Sequence, residues 1–394
     1  MGGGPLRVLA VASKPPFPPI GGGSLALHGL LRGLSEAGVS VRVVAQGTPP
    51  TTGRPSPYSV RHVARRPRSW ARVLPSLLTR RPLAVARYRT AALERAVEEE
   101  MLRFTPDVVH LEQLHLAWLI PRTAGRSAVV LRQQNVESLL LARVASLLPV
   151  PLRWAARLES HRSARFEAAA CASADLVAAI TESDADALRA LAPRARVEVL
   201  PAPLAPEAHV APLTLRGAPP FLCVGSFDWL PNRDGIRWLV GDVWPTLRRL
   251  APHAVLHLAG PGSDTLGYEG DLSIERHGRV ETAAFLYDPR AVVLVPLRAG
   301  SGVRMRILEA WATGVPVVAS AVAGEGLVTT DGDGALLAST AQEFASAAVR
   351  LAGEPELRRT IVERGRARVA DHSCARVAER AQALYRRAIE IRWV

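Results

Sequence analysis

Lysine is almost missing from this 394-residue chain: Lys14 is the only one among 49 basic residues. The formal charge of +13 is therefore arginine charge. Alanine-, arginine- and proline-rich usage goes with a GC-rich genome, which accounts for part of the excess. The remainder fits polyanionic partners: nucleotide diphosphates, an anionic membrane surface or nucleic acid. Cysteine is also scarce. Cys171, Cys223 and Cys374 lie far apart, which excludes a disulfide framework and a cysteine metal site and points to buried thiols in a reducing compartment. No apolar run reaches the ~18 residues of a membrane span. The stretch MGGGPLRVLA lacks the charged-then-apolar design of a signal sequence, so a cytoplasmic protein is expected, with a peripheral place on the inner face of the membrane left open.

What is present is α/β alternation at a length that favours two domains over one. In the first half, apolar runs at 6–13, 39–45, 107–111, 127–132 and 176–181 read as strands, with helical stretches between them, the first at 24–37. Residues 201–220 carry six prolines and little periodicity and read as a linker. A second α/β set follows, with strands at 221–226, 254–259, 273–277, 291–296 and 315–320, and the end, from residue 343, reads as helices. The fold class expected is α/β, with two Rossmann-like doubly wound domains facing across a cleft that holds the ligands.

Residues 291–320, AVVLVPLRAGSGVRMRILEAWATGVPVVAS, carry the strongest functional signal. They read as strand, glycine turn (Gly300, Ser301, Gly302), a helix from near Val303 to Gly314, and a strand. Free helix N–H groups, the helix dipole, Arg304 and Arg306 converge on one point suited to a phosphate or diphosphate. Glu309 adds a carboxylate at a reach suited to sugar hydroxyls. Against this stand surface arginines in an arginine-rich chain, and an ion pair of Glu309 with Arg306.

Three further segments carry candidate residues. Gly21, Gly22 and Gly23 follow the first strand, where glycine lets the backbone approach a phosphate or acceptor closely, and Ser24 fits as a helix cap; a plain turn fits equally. After the first strand of the second half, Ser226 and Asn232 are placed to face a diphosphate, or Asn232 simply caps a helix over 234–239. His110 and Glu112 end one strand, and Gln134 and Asn135 another, where acceptor contacts are made. Residues 61–89 alternate arginines with Trp70, Leu74, Leu77 and Leu78, a pattern that fits an anionic lipid surface or an ordinary solvated helix; nucleic acid is disfavoured because no nucleic-acid motif accompanies it.

Together these residues resemble the family-4 (group 1) glycosyltransferases of the GT-B type, in the branch with a Gly-x-Gly turn. GSFDWLPNRDGIRWL is similar to a GS-x-x-W-x-PN-x-D segment, and PLRAGSGVRMRILEAWATGVPVVAS to a PL-x-x-G-x-G-x-R-x-K-I-L-E-A segment. The resemblance implies residues 1–205 as the acceptor-binding domain, 206–374 as the nucleotide-sugar domain, and 375–394 as a helix crossing back to the first. It implies Glu309 on the nucleotide ribose, Arg304 and Arg306 at the diphosphate, and Gly22, Gly23, Ser226, Asn232, Gly300, Ser301, Gly302 and Val303 around the donor. Two positions depart from the pattern: Ser301 stands where many relatives carry glutamate, and Gln134 where the branch often has histidine. The activity implied is sugar transfer, with retention, from a nucleotide-diphosphate sugar to a glycan, lipid-linked or small-molecule hydroxyl. No cofactor is expected, and no metal, since no Asp-x-Asp or His/Cys cluster lies in a suitable place and arginines can replace a metal. The alternatives are a nucleotide-sugar epimerase and a non-catalytic polyanion- or membrane-binding protein on the same scaffold.

Overall fold

The computed structural model describes residues 4–19, 21–48, 55–64, 81–205, 211–280 and 284–393. The chain divides into two compact units. The first comprises Met1–Ala205 with Ser301–Val303 and His372–Val394, and the second Pro206–Gly300 with Arg304–Asp371.

The first unit is built on one parallel sheet of β1 (Arg7–Ala12), β2 (Ser40–Gln46), β3 (Ser59–Val63), β4 (Val108–Glu112), β5 (Ala128–Gln133), β6 (Leu176–Ala179) and β7 (Val197–Val199). Their order is β3-β2-β1-β4-β5-β6-β7. The central strands open as apolar runs because helices cover both faces, with His110, Glu112, Arg132 and Gln133 towards the carboxyl ends of β4 and β5. Leu9, Val11, Val109, Leu111 and Val129 point to one core, and Val8, Val108 and Val130 to the other. The last helix, Cys374–Trp393, lies on the second face, burying Val377, Ala381, Leu384 and Tyr385 beside Leu30 and Leu34 of the Gly22–Glu36 helix. The two helices cross so closely at Gly33 that a methyl there would collide with the Cys374 carbonyl oxygen.

The second unit repeats the plan with β8 (Pro220–Val224), β9 (Val255–Ala259), β10 (Ile274–Arg276), β11 (Val292–Val295), β12 (Val317–Ser320) and β13 (Leu336–Ala338). The order is β10-β9-β8-β11-β12-β13, again all parallel. Its core gathers Phe221, Leu256, Leu294 and Val318 under Trp244 and Phe344. The doubly wound α/β class expected from the sequence is the one found.

Several local expectations change. β3, β7 and β13 are sheet-edge strands of five, three and three residues, too short to register as a hydrophobic period. The first helix begins at Gly22, with Gly21 at its N-cap in a positive-φ conformation (φ 82°), so Ser24 sits inside the first turn and does not cap it. Asn232 likewise is no cap: the helix runs Leu230–Trp238, starting two residues before it because Pro231 favours a first turn. The segment 201–220 is not a free linker over its described length. Leu204 bridges to Ser373, Leu213 and Leu215 donate backbone N–H groups to the Phe285 carbonyl and the Asp288 carboxylate, and Pro220 opens β8. Residues 206–210 lie outside the described residues.

Candidate functional site

In each sheet the chain winds outward from its first strand, then returns to add strands on the other side. The reversal falls between β8 and β11 in the second unit and between β1 and β4 in the first. Loops leaving the carboxyl ends of such a pair diverge to opposite faces and leave a crevice for ligands. The PNRDG stretch after β8 explains itself at this point. Asn232 Nδ2 donates to the Ser226 carbonyl (2.7 Å), closing the turn, while its Oδ1 accepts from Arg306 Nη2 (3.2 Å). Asp234 takes both arms of Arg298 (2.8 and 2.6 Å), tying the helix to the loop after β11. A methyl at Gly235 would lie 2.5 Å from the Pro296 carbonyl oxygen, so only glycine lets the helix approach this strand end.

The loop after β11 leads into the helix Met305–Thr313, with Arg304 at the N-cap and Gly314 closing it at φ 75°. This start is two residues later than the sequence suggests. No acidic residue stands in its first turn, so no carboxylate there competes with an anion for the positive end of its dipole. Met305, Ile307, Leu308, Ala310 and Trp311 are buried, which leaves Arg306 and Glu309 on the outward face. Both arginines are folded over glycines. An added methyl would stand 2.6 Å from Arg304 Nη2 at Gly300, and 3.0 Å from Arg306 Nη1 at Gly225. Glycine at these positions makes room for the guanidinium groups. Arg304 is almost entirely buried, and Arg306 is half-buried. Glu309 accepts a hydrogen bond from the Tyr287 hydroxyl (2.9 Å), which orients a carboxylate whose lone pairs can accept more than one donor. Ser226 is exposed.

The turn residues Ser301, Gly302 and Val303 belong to the first unit. The Ser301 hydroxyl is buried, accepts from the Val136 N–H (3.0 Å) and donates to Asp184 (3.1 Å), and a methyl on Gly302 would collide with the Gln134 carbonyl. The expectation that Ser301 faces a donor is therefore corrected: its hydroxyl is buried and its one proton is spent on Asp184.

In the first unit the strand ends of β4 and β5 carry a buried polar chain. The Tyr385 hydroxyl donates to His110 Nδ1 (2.8 Å), His110 Nε2 donates to Glu112 (2.7 Å), and Arg132 donates to the other Glu112 oxygen (2.9 Å). Gln134 Nε2 bridges that same oxygen and the Gly23 carbonyl (2.5 and 3.0 Å). A carboxylate accepts only, so the proton on His110 must be at Nε2. Burial by itself would raise the Glu112 pKa, but Arg132, His110 and Gln134 hold it at about 2. His110 is wholly buried under the last helix, so its expected acceptor contact is corrected to a role in this network. Glu112 and Gln134 are nearly as buried, whereas Asn135 and Gly23 are half-exposed and Gly22 is exposed.

Two family descriptions match the chain: "Glycosyl transferases group 1" over residues 218–354, and "Glycosyl transferase 4-like domain" over 21–203. The chain belongs to the group 1 glycosyltransferases. No curated protein sequence matches it. Among solved structures, this glycosyltransferase is similar to a sucrose-phosphate synthase from Thermosynechococcus elongatus, at 18% identity and TM-score 0.72, over 96% of this chain and 98% of that one. It is also similar to Anabaena HepE in complex with UDP and glucose, at 14% identity and TM-score 0.66, over 95% and 98%. An α,α-trehalose-phosphate synthase (UDP-forming) from Burkholderia vietnamiensis matches at 14% and 0.63, over 96% and 99%. At these identities the likeness is one of fold, and the fold is GT-B.

Sequence reasoning missed Tyr287, Arg132 and Tyr385 as partners of site residues in this glycosyltransferase. Only the pairing of distant segments brings them together, 22 positions apart for Tyr287 and Glu309 and 275 for Tyr385 and His110. The basic segment 61–89 lies largely outside the described residues, which resume at Arg81. Its described ends are engaged internally: Arg61 pairs with Glu99 and Glu100, and Arg89 stacks over Trp118 at 5.4 Å. Among the described residues no helix is long and apolar enough to cross a membrane.

Glu137, two residues beyond Asn135, carries a pH prediction. Burial and then the neighbouring Glu167 carboxylate push its pKa up to about 7. A carboxyl raised in the folded state holds its proton there after the unfolded chain has released it. Its contribution is intact below the unfolded pKa of ~4.3 and is lost as pH rises to about 7. Glu137→Gln is expected to raise the melting temperature by a few degrees at pH 8 and to leave it unchanged near pH 4, as read by calorimetry across that range.

Proposed function

We propose that this glycosyltransferase takes its sugar from a nucleotide-diphosphate donor seated at the carboxyl ends of β8 and β11, and delivers it with retention to a hydroxyl acceptor. The observation that carries the reading is the pair of guanidinium groups folded over Gly300 and Gly225 at an uncapped helix start, with Glu309 held by Tyr287 on the same helix. UDP and glucose in the HepE complex belong to that protein, and they support a nucleotide-sugar as the class of donor to try first.

In this reading the anomeric C–O bond breaks with its electron pair going to the nucleoside diphosphate. Arg304, Arg306 and the first helix N–H groups take up the developing charge. The acceptor oxygen bonds the anomeric carbon on the face the leaving group vacates, and its proton passes to a diphosphate oxygen. No protein nucleophile is required, and two arginines supply the charge that a divalent cation would otherwise bring to the diphosphate. Glu309 accepts from a sugar or ribose hydroxyl. Acceptor contacts fall in the first unit, to Asn135 beyond the end of β5.

The test is a panel of nucleotide-sugars screened for thermal stabilisation, followed by turnover with the one that binds. The product's anomeric configuration is then read by proton NMR. Retention, with a rate unchanged when Mg²⁺ or Mn²⁺ is added, is the expected result. An inverted product or an obligatory divalent ion at the diphosphate overturns it, and isomerisation of the donor without any acceptor assigns the chain to epimerases instead. Asn232→Ala frees Arg306 and opens the Ser226 turn. It is expected to raise the donor KM about tenfold, with a smaller change in kcat, in initial-rate measurements.

A further inference from the structure

At one edge of the second sheet, strand β10 carries Glu275 and, just past its end, the chain places His277. Glu275 is the direct register partner of His257 on β9. The three side chains converge, with His257 Nδ1 3.0 Å from His277 Nε2 and 3.2 Å from a Glu275 carboxylate oxygen. All three ligand atoms lie within 4.8 Å of one another, in the one such group among the described residues. A linear reading misses it because His257 lies on a different strand from the other two.

The chemistry of the cluster is set from behind. His257 Nε2 lies 2.9 Å from the Arg216 carbonyl oxygen, which can only accept, so the ring proton is on Nε2 and the Nδ1 lone pair points into the cluster. Arg216 Nε takes the other Glu275 oxygen at 2.5 Å, turning the second oxygen toward the imidazoles. The three ligand atoms face one another closely enough to share a proton or a metal cation. The separations of 3.0 and 3.2 Å approach the ~3.3 Å edge of a tetrahedron with 2.0–2.1 Å metal–ligand bonds. A carbonyl holding the remote imidazole N–H is the usual outer partner of a metal-bound histidine.

We infer that His257 Nδ1, His277 Nε2 and Glu275 form a binding site for a divalent transition-metal cation of the Zn²⁺ class, with a water completing the tetrahedron from the half-exposed side. The site is structural and distinct from the sugar-transfer chemistry. It clips β10, an edge strand of three residues, to β9 and to the backbone at Arg216. A strand that short has few ladder bonds of its own, so a metal clip there adds stability that pairing cannot supply.

The experiment uses the full chain, stripped with a chelator and titrated with Zn²⁺ against a chromophoric competitor, with Co²⁺ as a spectroscopic probe of geometry. One equivalent is expected to bind, to raise the melting temperature, and to give the visible absorption of four-coordinate Co²⁺. Glu275→Gln, nearly isosteric, and His277→Ala are each expected to weaken Zn²⁺ binding at least tenfold and to abolish the thermal shift. Circular dichroism without metal checks that both remain folded; if His277→Ala does not, Glu275→Gln decides. Wild-type protein that takes up no Zn²⁺, or binding equally tight in the folded variants, overturns the inference. The first of these results would assign the cluster to a shared proton, the second to histidines elsewhere.

Discussion

Arg304→Ala and Glu309→Ala are each expected to lower kcat/KM for transfer at least about 100-fold, which corresponds to ~3 kcal/mol of transition-state stabilisation. The two losses should divide differently between the kinetic constants. Arg304 stands at the N-cap of the Met305–Thr313 helix, where the proposed diphosphate gains charge as the anomeric bond breaks. An interaction that strengthens with that charge is realised in the transition state, so its loss falls on kcat. Glu309 would hold a hydroxyl whose charge changes little during reaction, so its loss falls mainly on KM. Tyr287→Phe removes the hydrogen bond that orients Glu309 and should give the same KM pattern at about a tenth of the severity, roughly three- to tenfold. Rates near wild type for both alanine variants would remove the donor assignment at β8–β11. Arg304→Lys separates charge from shape: partial recovery indicates that charge suffices, whereas none indicates that the planar fork folded over Gly300 is what the site uses.

Much of the architecture is legible in the sequence because its determinants are local. Buried parallel strands such as β1, β5 and β11 write themselves as apolar runs of four or five residues, and the helices between them as a period of three to four residues. The helix carrying Arg304, Arg306 and Glu309 is legible for the same reason: Gly300, both arginines and the carboxylate lie within one βαβ unit. What escapes reading is set by pairing across the sheet. Ser301 reads as a donor ligand, yet its hydroxyl lies between Val136 and Asp184, 165 and 117 positions away. His110 reads as a polar strand end, yet β4 turns it inward, under a helix that begins 264 residues later at Cys374. The His257–Glu275–His277 group is likewise a property of the β9–β10 register and of no sequence motif. The starts of the Gly22–Glu36 and Leu230–Trp238 helices are misread by two and by four residues, since the glycine or proline in their first turns carries no side-chain cap to mark the boundary.

Removing the Arg132 side chain is expected to be the most damaging single change to the stability of the first unit. Arg132 and Glu112 are both buried and joined at 2.9 Å, and the same carboxylate is fed by His110 and Gln134. The Glu112 charge is held against the cost of its burial chiefly by Arg132. Arg132→Met keeps volume but strands that charge in the core, a loss of about 3–5 kcal/mol for a broken buried pair. Protonation offers the variant an escape. Without Arg132 the Glu112 pKa rises, so the carboxyl goes neutral at mild acidity and part of the deficit disappears there. Wild type behaves oppositely: a carboxyl depressed to about 2 contributes stability above its unfolded value of ~4.3 and loses it as pH falls toward about 2. The gap between wild type and Arg132→Met, measured by denaturant unfolding, should therefore be widest near pH 7 and shrink as pH falls below about 5. Combining Arg132→Met with Glu112→Gln removes the charge altogether and should restore most of the lost stability, because the neutral amide can share hydrogen bonds with His110 and Gln134. A double variant no more stable than Arg132→Met alone would show that the arginine acts through packing, independently of the carboxylate.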